Sequence, residues 1–226
     1  MKLTVVMPVL DEAATIVEAL VALQPLRAAG CEVIVADGGS RDDTVALATP
    51  LCDRLVRAPR GRALQMNAGA ASAGGDALLF LHADTRLPTD ALAQIAQALA
   101  RAGWGRFDVR IDGRPWLLRL IAALMNFRSR LTGIATGDQA LFCTRSLFER
   151  LGAYAPIPLM EDIDFSRRAL AHGRPVCLRT RVLTSGRRWE KHGVLPTVLL
   201  MWRLRLRYFL GADPARLAAD YRPHHE

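Results

Sequence analysis

Four short apolar runs, LTVVMPVL (3–10), EVIVAD (32–37), DRLVRA (53–58) and ALLFLHA (77–83), alternate with alanine-rich segments of helical period near 12–29, 42–50, 62–73 and 89–102. Runs this short and this rich in Val, Leu and Ile are strands buried on both faces. Strand alternating with helix predicts an α/β fold with a doubly wound, mostly parallel sheet flanked by helices. At 226 residues and 51% hydrophobic, the chain can bury one sizeable core without dividing.

In such sheets ligands sit outside the carboxyl ends of the strands, so what each strand delivers there matters most. The first delivers Asp11 and Glu12, the second Asp37 with the turn Gly38-Gly39-Ser40, the third Arg60, Gly61 and Arg62, and the fourth His82 and Asp84. Each has a structural explanation: Asp11, Asp42 and Asp43 stand where helices begin and can cap them, and Asp84 can organise a turn. Capping alone does not require four strands to place polar groups on one edge. The complement of that edge is a nucleoside diphosphate. Asp37 can accept hydrogen bonds from a base or ribose, and Arg60 and Arg62, on a glycine turn, can approach a pyrophosphate. Asp84 supplies a carboxylate for Mg²⁺ or Mn²⁺, since a hard cation needs only one or two when phosphates complete its shell.

The formal charge of +8 is carried almost wholly by arginine, Lys2 and Lys191 being the only lysines. Most of these arginines read as solvated surface. Cys31, Cys52, Cys143 and Cys177 lie far apart, with no C-x-x-C pair, and read as buried thiols in a reducing cytosol. The opening MKLTVVMPVL has no signal-peptide pattern, and nowhere do 18 apolar residues run uninterrupted. The expected location is the cytoplasm. Two arginine-studded apolar stretches, 114–131 and 195–211, fit either helices packed on the sheet or helices lying on the inner face of a membrane.

The ordered set VVMPVLDEAATI, VIVADGGSRDDT, RGRALQMNAGA and LLFLHADTRL resembles the nucleotide-binding half of family 2 glycosyltransferases. The likeness continues in GDQALFCTRSLFERLGAY, LMEDIDFSRRALAHG and TSGRRWEKHG. It covers about residues 1–193 and implies a GT-A fold of one domain, with a nucleotide-binding half (1–103), an acceptor-binding half (104–193) and a helical extension (194–226). It also implies inverting transfer of a sugar from a UDP- or GDP-linked donor to a hydroxyl acceptor, with a divalent metal. By this resemblance Asp162 is the general base, with Glu161 as its alternative. Pro8, Glu12, Asp37, Gly39, Arg60, Arg62, Asn67, His82 and Asp138 line the donor site. Arg187, Arg188 and Trp189 belong to a segment closing over the diphosphate, and Asp84 and His192 are the metal ligands. HAD stands where the family has D-x-D, so His82 replaces the first carboxylate. An imidazole there can still bond a ribose hydroxyl or ligate a transition metal. The acceptor is open, a lipid-linked one being compatible with the arginine-rich helices, as is a homodimer.

Other classes fit less well. A sugar nucleotidyltransferase would carry a glycine-rich basic loop after the first strand, where this chain has PVLDEAA. An NAD-dependent oxidoreductase would carry G-x-G-x-x-G. A peripheral basic binding protein without catalysis accounts for the charge, but not for acids at successive strand ends, which would repel nucleic-acid phosphates.

Overall fold

The computed structural model describes residues 1–221, apart from the side chains of Arg188 and His192. Eight strands form one sheet: β1 (Leu3–Val9), β2 (Glu32–Asp37), β3 (Arg54–Arg57), β4 (Ala77–Phe80), β5 (Thr85–Arg86), β6 (Trp104–Asp112), β7 (Phe142–Thr144) and β8 (Val176–Ser185), in the order β3-β2-β1-β4-β7-β6-β8-β5. The half predicted from periodicity, β3-β2-β1-β4, is parallel throughout. Beyond it β7 runs antiparallel to both β4 and β6, β8 is parallel to β6, and β5 is antiparallel to β8. The sheet is therefore mixed, and it continues from one half of the chain into the other.

β1, β2 and β4 are buried on both faces, as their unbroken apolar runs require. One core layer packs Val5, Met7, Val33 and Leu79 against Ile16 and Leu20 of the Ile16–Val21 helix. The other packs Val6, Ile34 and Phe80 against the Arg62–Ser72 helix. In that second layer Phe80, Phe148, Tyr154 and Phe165 stack with centroids 4.8–5.9 Å apart, tying β4 to the Glu161–Leu170 helix.

A buried polar network fixes the Leu117–Thr132 helix to β6. Asn126 pairs with both backbone groups of Val109 at 2.9 Å. The carboxylate of Asp108 takes Arg106, which is fully buried, on one oxygen and Arg130 on the other. Paired this way, a buried charge meets the condition for its retention. Leu118, Ala122, Asn126 and Ser129 face inward, with Ile121 and Met125 packed beside them, whereas Trp116 at the helix start and Leu120, Leu124, Phe127 and Leu131 are 49–73% exposed. The helix is thus apolar on its outer face as well as its inner one, unlike an ordinary packed helix. The Val194–Phe209 helix packs Leu204, together with Leu217 of the Pro214–Tyr221 helix, against Ile134, Met160 and Ile163. It leaves Leu195, Leu199, Trp202, Leu206 and Phe209 exposed.

Candidate active site

At the carboxyl end of β1 and β2, loops are bound to each other by their acids. The Asp37 carboxylate, almost wholly buried, accepts the Gly39 and Ser40 N–H groups at 3.1 Å. Gly39 has φ +90°, a conformation that favours glycine. Asp11 accepts the Arg41 N–H at 2.8 Å, and Asp42 accepts the Ala13 N–H at 3.0 Å and the Thr44 hydroxyl. Those hydrogen bonds, the Thr44 one foremost, hold Asp42 below the usual carboxylate range. Asp43 makes no side-chain cap, whereas Asp42 also accepts the N–H of Thr44, the first residue of the Thr44–Ala48 helix, at 3.0 Å; Asp11 and Asp42 in addition cross-link two loops. Gln65, which the sequence does not single out, completes the rim: its amide donates to Val9 O at 2.6 Å and to Ala36 O at 3.0 Å. Pro8 lies opposite Ala36 near the end of β1. The Glu12 carboxylate accepts the Thr15 hydroxyl at 2.7 Å. Arg60 is exposed on the turn before the Arg62–Ser72 helix.

Arg62 is where the halves of the site meet. Its Nη1 lies 3.8 Å from Glu161 Oε1. The side chain is 51% exposed; its partial desolvation would lower the pKa, but Glu161 first, then Asp138, Asp162 and Asp84, hold it above its ordinary value. Carboxylates on three separate segments thus act on one guanidinium, Glu161 at close range. Glu161 is 4% exposed. Its pKa is raised first by burial and then by Asp162, against the pull of Arg62 and His82. Both acids lie in the first turn of the Glu161–Leu170 helix, which starts after Met160 in a left-handed conformation, φ +71°. Asp162 Oδ2 accepts the Gly137 N–H at 2.8 Å.

His82 does not point into open solvent. Its Nδ1 lies 3.6 Å from Asp138 Oδ1, and the ring packs on Gly137 so closely that a Cβ there would fall 2.6 Å from Cε1. Only glycine lets the Thr136–Gln139 segment approach the imidazole and aim its N–H at Asp162. Asp84, two residues on, accepts the Thr85 hydroxyl at 3.2 Å. It lines a cleft of about 580 Å³ with Thr15, Asp112, Ser185, Arg187 and Glu190. Asp84 therefore bridges the carboxylate cluster and the cleft.

The remaining expected residues are Asn67 and the segment carrying Arg187, Arg188, Trp189 and His192. Asn67 uses its side-chain oxygen and nitrogen on the Tyr154 backbone, at 3.0 and 2.8 Å, joining the two halves of the chain. The segment expected to cover the diphosphate begins with a helix, Arg187–His192. Within it Arg187 lies at the cleft, and Trp189 is half-buried against the core layer on the Ile16–Val21 side. Arg188 and His192 have side chains outside the described residues. Among the described residues no three His, Cys, Asp or Glu side chains form a metal cluster.

The strand ends of this α/β sheet thus carry an acidic and basic rim that reaches a second carboxylate pair. Comparison with known proteins specifies the class. The model of glycosyl transferase family 2 matches residues 4–148, and that of glycosyl transferase family group 2 matches 77–224. An uncharacterized glycosyltransferase of Mycobacterium tuberculosis is 33% identical over 160 residues, covering 66% of this chain and 60% of that protein. The chain spans about 60% of the length of that relative. Among solved structures, S. aureus TarS 1–349 in complex with UDP-GlcNAc superposes with TM-score 0.66 at 17% identity, covering 82% of this chain and 58% of that one. A Pyrobaculum calidifontis mannosyltransferase in complex with GDP-Man and Mn²⁺ gives 0.66 at 24%, covering 90% and 60%. M. tuberculosis glucosyl-3-phosphoglycerate synthase in complex with Mn²⁺, UDP and glucosyl-3-phosphoglycerate gives 0.58 at 20%, covering 81% and 70%. The GT-A architecture expected from the sequence is the fold of this chain. The chain belongs to glycosyl transferase family 2.

Proposed function

We propose that the chain transfers a sugar from a UDP- or GDP-linked donor to a hydroxyl acceptor in one inverting displacement. The observation that carries this is a linked set of contacts at the strand ends, Arg62 with Glu161 at 3.8 Å, Gly137 N–H with Asp162 at 2.8 Å and His82 with Asp138 at 3.6 Å, two residues from Asp84 at the cleft. Asp162 removes the acceptor proton as that oxygen bonds to the anomeric carbon. The carbon–oxygen bond to the diphosphate breaks, and its electrons stay on the leaving phosphate. The hydrogen bond from Gly137 orients Asp162 and leaves the side chain half-buried, which favours it as base over the buried Glu161. Glu161 and Arg62 set the local charge instead. Arg60 and Arg187 would face the leaving diphosphate, and Arg188 is proposed for the same role. Pro8, Glu12, Asp37 and Gly39 shape the rim for base and ribose, and His82 and Asp138 the sugar side.

Asp84 fits a hard divalent cation: it presents a carboxylate to the cleft with one protein hydrogen bond of its own. Mg²⁺ or Mn²⁺ held there would supply Lewis-acid charge for the phosphates. His192 is proposed as a further ligand.

We extend the reading to peripheral contact with an anionic membrane. No helix among the described residues is long and apolar enough to cross a membrane. The two exposed apolar stripes carry Trp116 and Trp202 beside arginines, with no acid between 114 and 131 or between 195 and 211, the composition of a helix lying in the interface. The same positive charge disfavours a homodimer through this face.

The test is slow donor hydrolysis across a panel of UDP- and GDP-sugars with Mn²⁺. One donor should turn over in the wild type. Asp162→Asn should lower acceptor transfer by about 10²-fold or more while binding nucleotide as before. Full transfer by that variant would remove Asp162 from the role.

A further inference from the structure

Arg128 belongs to no interaction described above. It lies on the Leu117–Thr132 helix, whose position the Asn126 and Asp108 network fixes. Two of its guanidinium nitrogens, Nε and Nη2, are buried without a hydrogen-bond partner among the described residues. Leaving buried donors unpaired is costly, and for a cation more so. Arg106 of β6 and Arg130 of the same helix have Asp108. Arg128 has no equivalent carboxylate.

Its surroundings say what would pair with it. Leu204 packs with Ile134, Met160 and Ile163, which places the neighbouring Arg205 at the Glu161–Asp162 end of the catalytic helix. Ile134 follows directly on the end of the Arg128 helix. The charges register this proximity. Burial first, then Arg205, bring the Arg128 guanidinium down to about 10, with Asp162 opposing. At neutral pH Arg128 remains cationic. Arg128 and Arg205 thus come from two helices that meet near this end of the catalytic helix, and Arg128 brings buried, unused donors. Arginine's planar fork suits a phosphate or carboxylate.

We infer that Arg128 and Arg205 form an oxyanion subsite beside Asp162, and that the acceptor is a hydroxyl compound carrying a phosphate or similar anionic group. The inference deepens the transfer reading and rests on it for the word acceptor; the anion site itself does not. Leu124, Phe127 and Leu131 flank Arg128 and Trp202 and Leu206 flank Arg205, all exposed. The phosphate can therefore come from a lipid headgroup or from a soluble phosphorylated compound.

The experiment uses the full chain and the variants Arg128→Met and Arg205→Gln, melted with sn-glycerol 3-phosphate or with glycerol, and floated with phosphatidylcholine vesicles with or without phosphatidic acid. Glycerol 3-phosphate should raise the wild-type Tm by about 2–4 °C, and glycerol should not. Both variants should lose that increment. Arg128→Met alone should melt at or above the wild type, because it removes a buried charge that nothing pairs. Equal increments in all three proteins overturn the subsite. So does Arg128→Met melting well below the wild type while Arg205→Gln keeps the full increment, because Arg128 is then structural. If Arg128→Met fails to fold, Arg205→Gln decides alone. Flotation that needs phosphatidic acid and Arg128 assigns the headgroup as source. Response to free glycerol 3-phosphate without vesicle preference assigns the soluble one. Calorimetry with UDP or GDP and Mn²⁺ runs alongside: nucleotide bound but no arginine-dependent increment sinks the subsite only, and an increment without nucleotide binding sinks the transfer reading only.

Discussion

Gly137→Ala probes the contact on which the catalytic geometry turns. A methyl at this position would stand 2.6 Å from His82 Cε1 and 2.7 Å from Nε2, where ordinary contact begins at 3.4 Å, a shortfall of about 0.8 Å. The ring is 11% exposed and faces Asp138, so it has little room to swing away. Overpacking of this kind costs about 1–3 kcal/mol. In a chain of this size each kcal/mol lowers Tm by about 2–4 °C, giving a drop of about 2–12 °C. If the Thr136–Gln139 segment moves instead of the ring, the 2.8 Å bond from Gly137 N–H to Asp162 lengthens. A hydrogen bond to a charged group is worth about 1.5–3 kcal/mol, so transfer should fall about tenfold or more. His82→Ala removes the obstacle, and the double variant should regain stability that additivity would deny it, by about 1 kcal/mol. Thermal melts of the four proteins by circular dichroism, with donor turnover measured on each, make the test. Wild-type melting by Gly137→Ala, or strictly additive losses in the double variant, would refute the reasoning.

Further expectations concern charge. Burial, then Asp162, hold Glu161 above the usual carboxyl range, so the native state binds this proton more tightly than the unfolded chain. Stability is then lost as pH rises above the unfolded value of 4.5. Glu161→Gln should be more stable than the wild type at pH 7 and converge with it below about pH 4, as read by urea melts. A gap that ignores pH would disprove the assignment. On the helical face, each exposed large side chain would contribute about 1.5–3 kcal/mol when buried in an interface. Trp202→Glu should therefore weaken flotation with anionic vesicles about tenfold or more, whereas a dimer in sedimentation equilibrium that the same substitution dissolves would assign the face to a second copy.

The sheet's first half was readable because both-face burial leaves continuous apolar runs, so β1, β2, β3 and β4 lie within two or three residues of the expected runs. β7, three residues long, and β5, two residues long, carry no period to detect, which is why the mixed character of the sheet was not visible. Strand ends pointed to Asp37, Arg62, His82 and Asp84 as neighbours on one edge. Their partners across the fold were not legible: Gly137 contributes a backbone N–H and the lack of a Cβ, neither of which residue type reveals. Asn67 sits inside a nucleotide-site motif, yet it holds Tyr154. Gln65 reads as an ordinary polar helix residue until Val9 and Ala36 are seen to converge on it. The Leu117–Thr132 helix is apolar on two faces, and only the network at Asn126 and Asp108 decides which one is inside.

The central claim is that this edge grips a nucleoside diphosphate through a cation at Asp84. Titration calorimetry of UDP and GDP, with and without Mn²⁺, against wild type and Asp84→Ala tests it most directly. The account predicts binding of one nucleotide that strengthens with Mn²⁺, and a loss of about tenfold or more in the variant. Absence of heat with either nucleotide in the wild type, or an Asp84→Ala variant that retains the full Mn²⁺-dependent affinity, would contradict it.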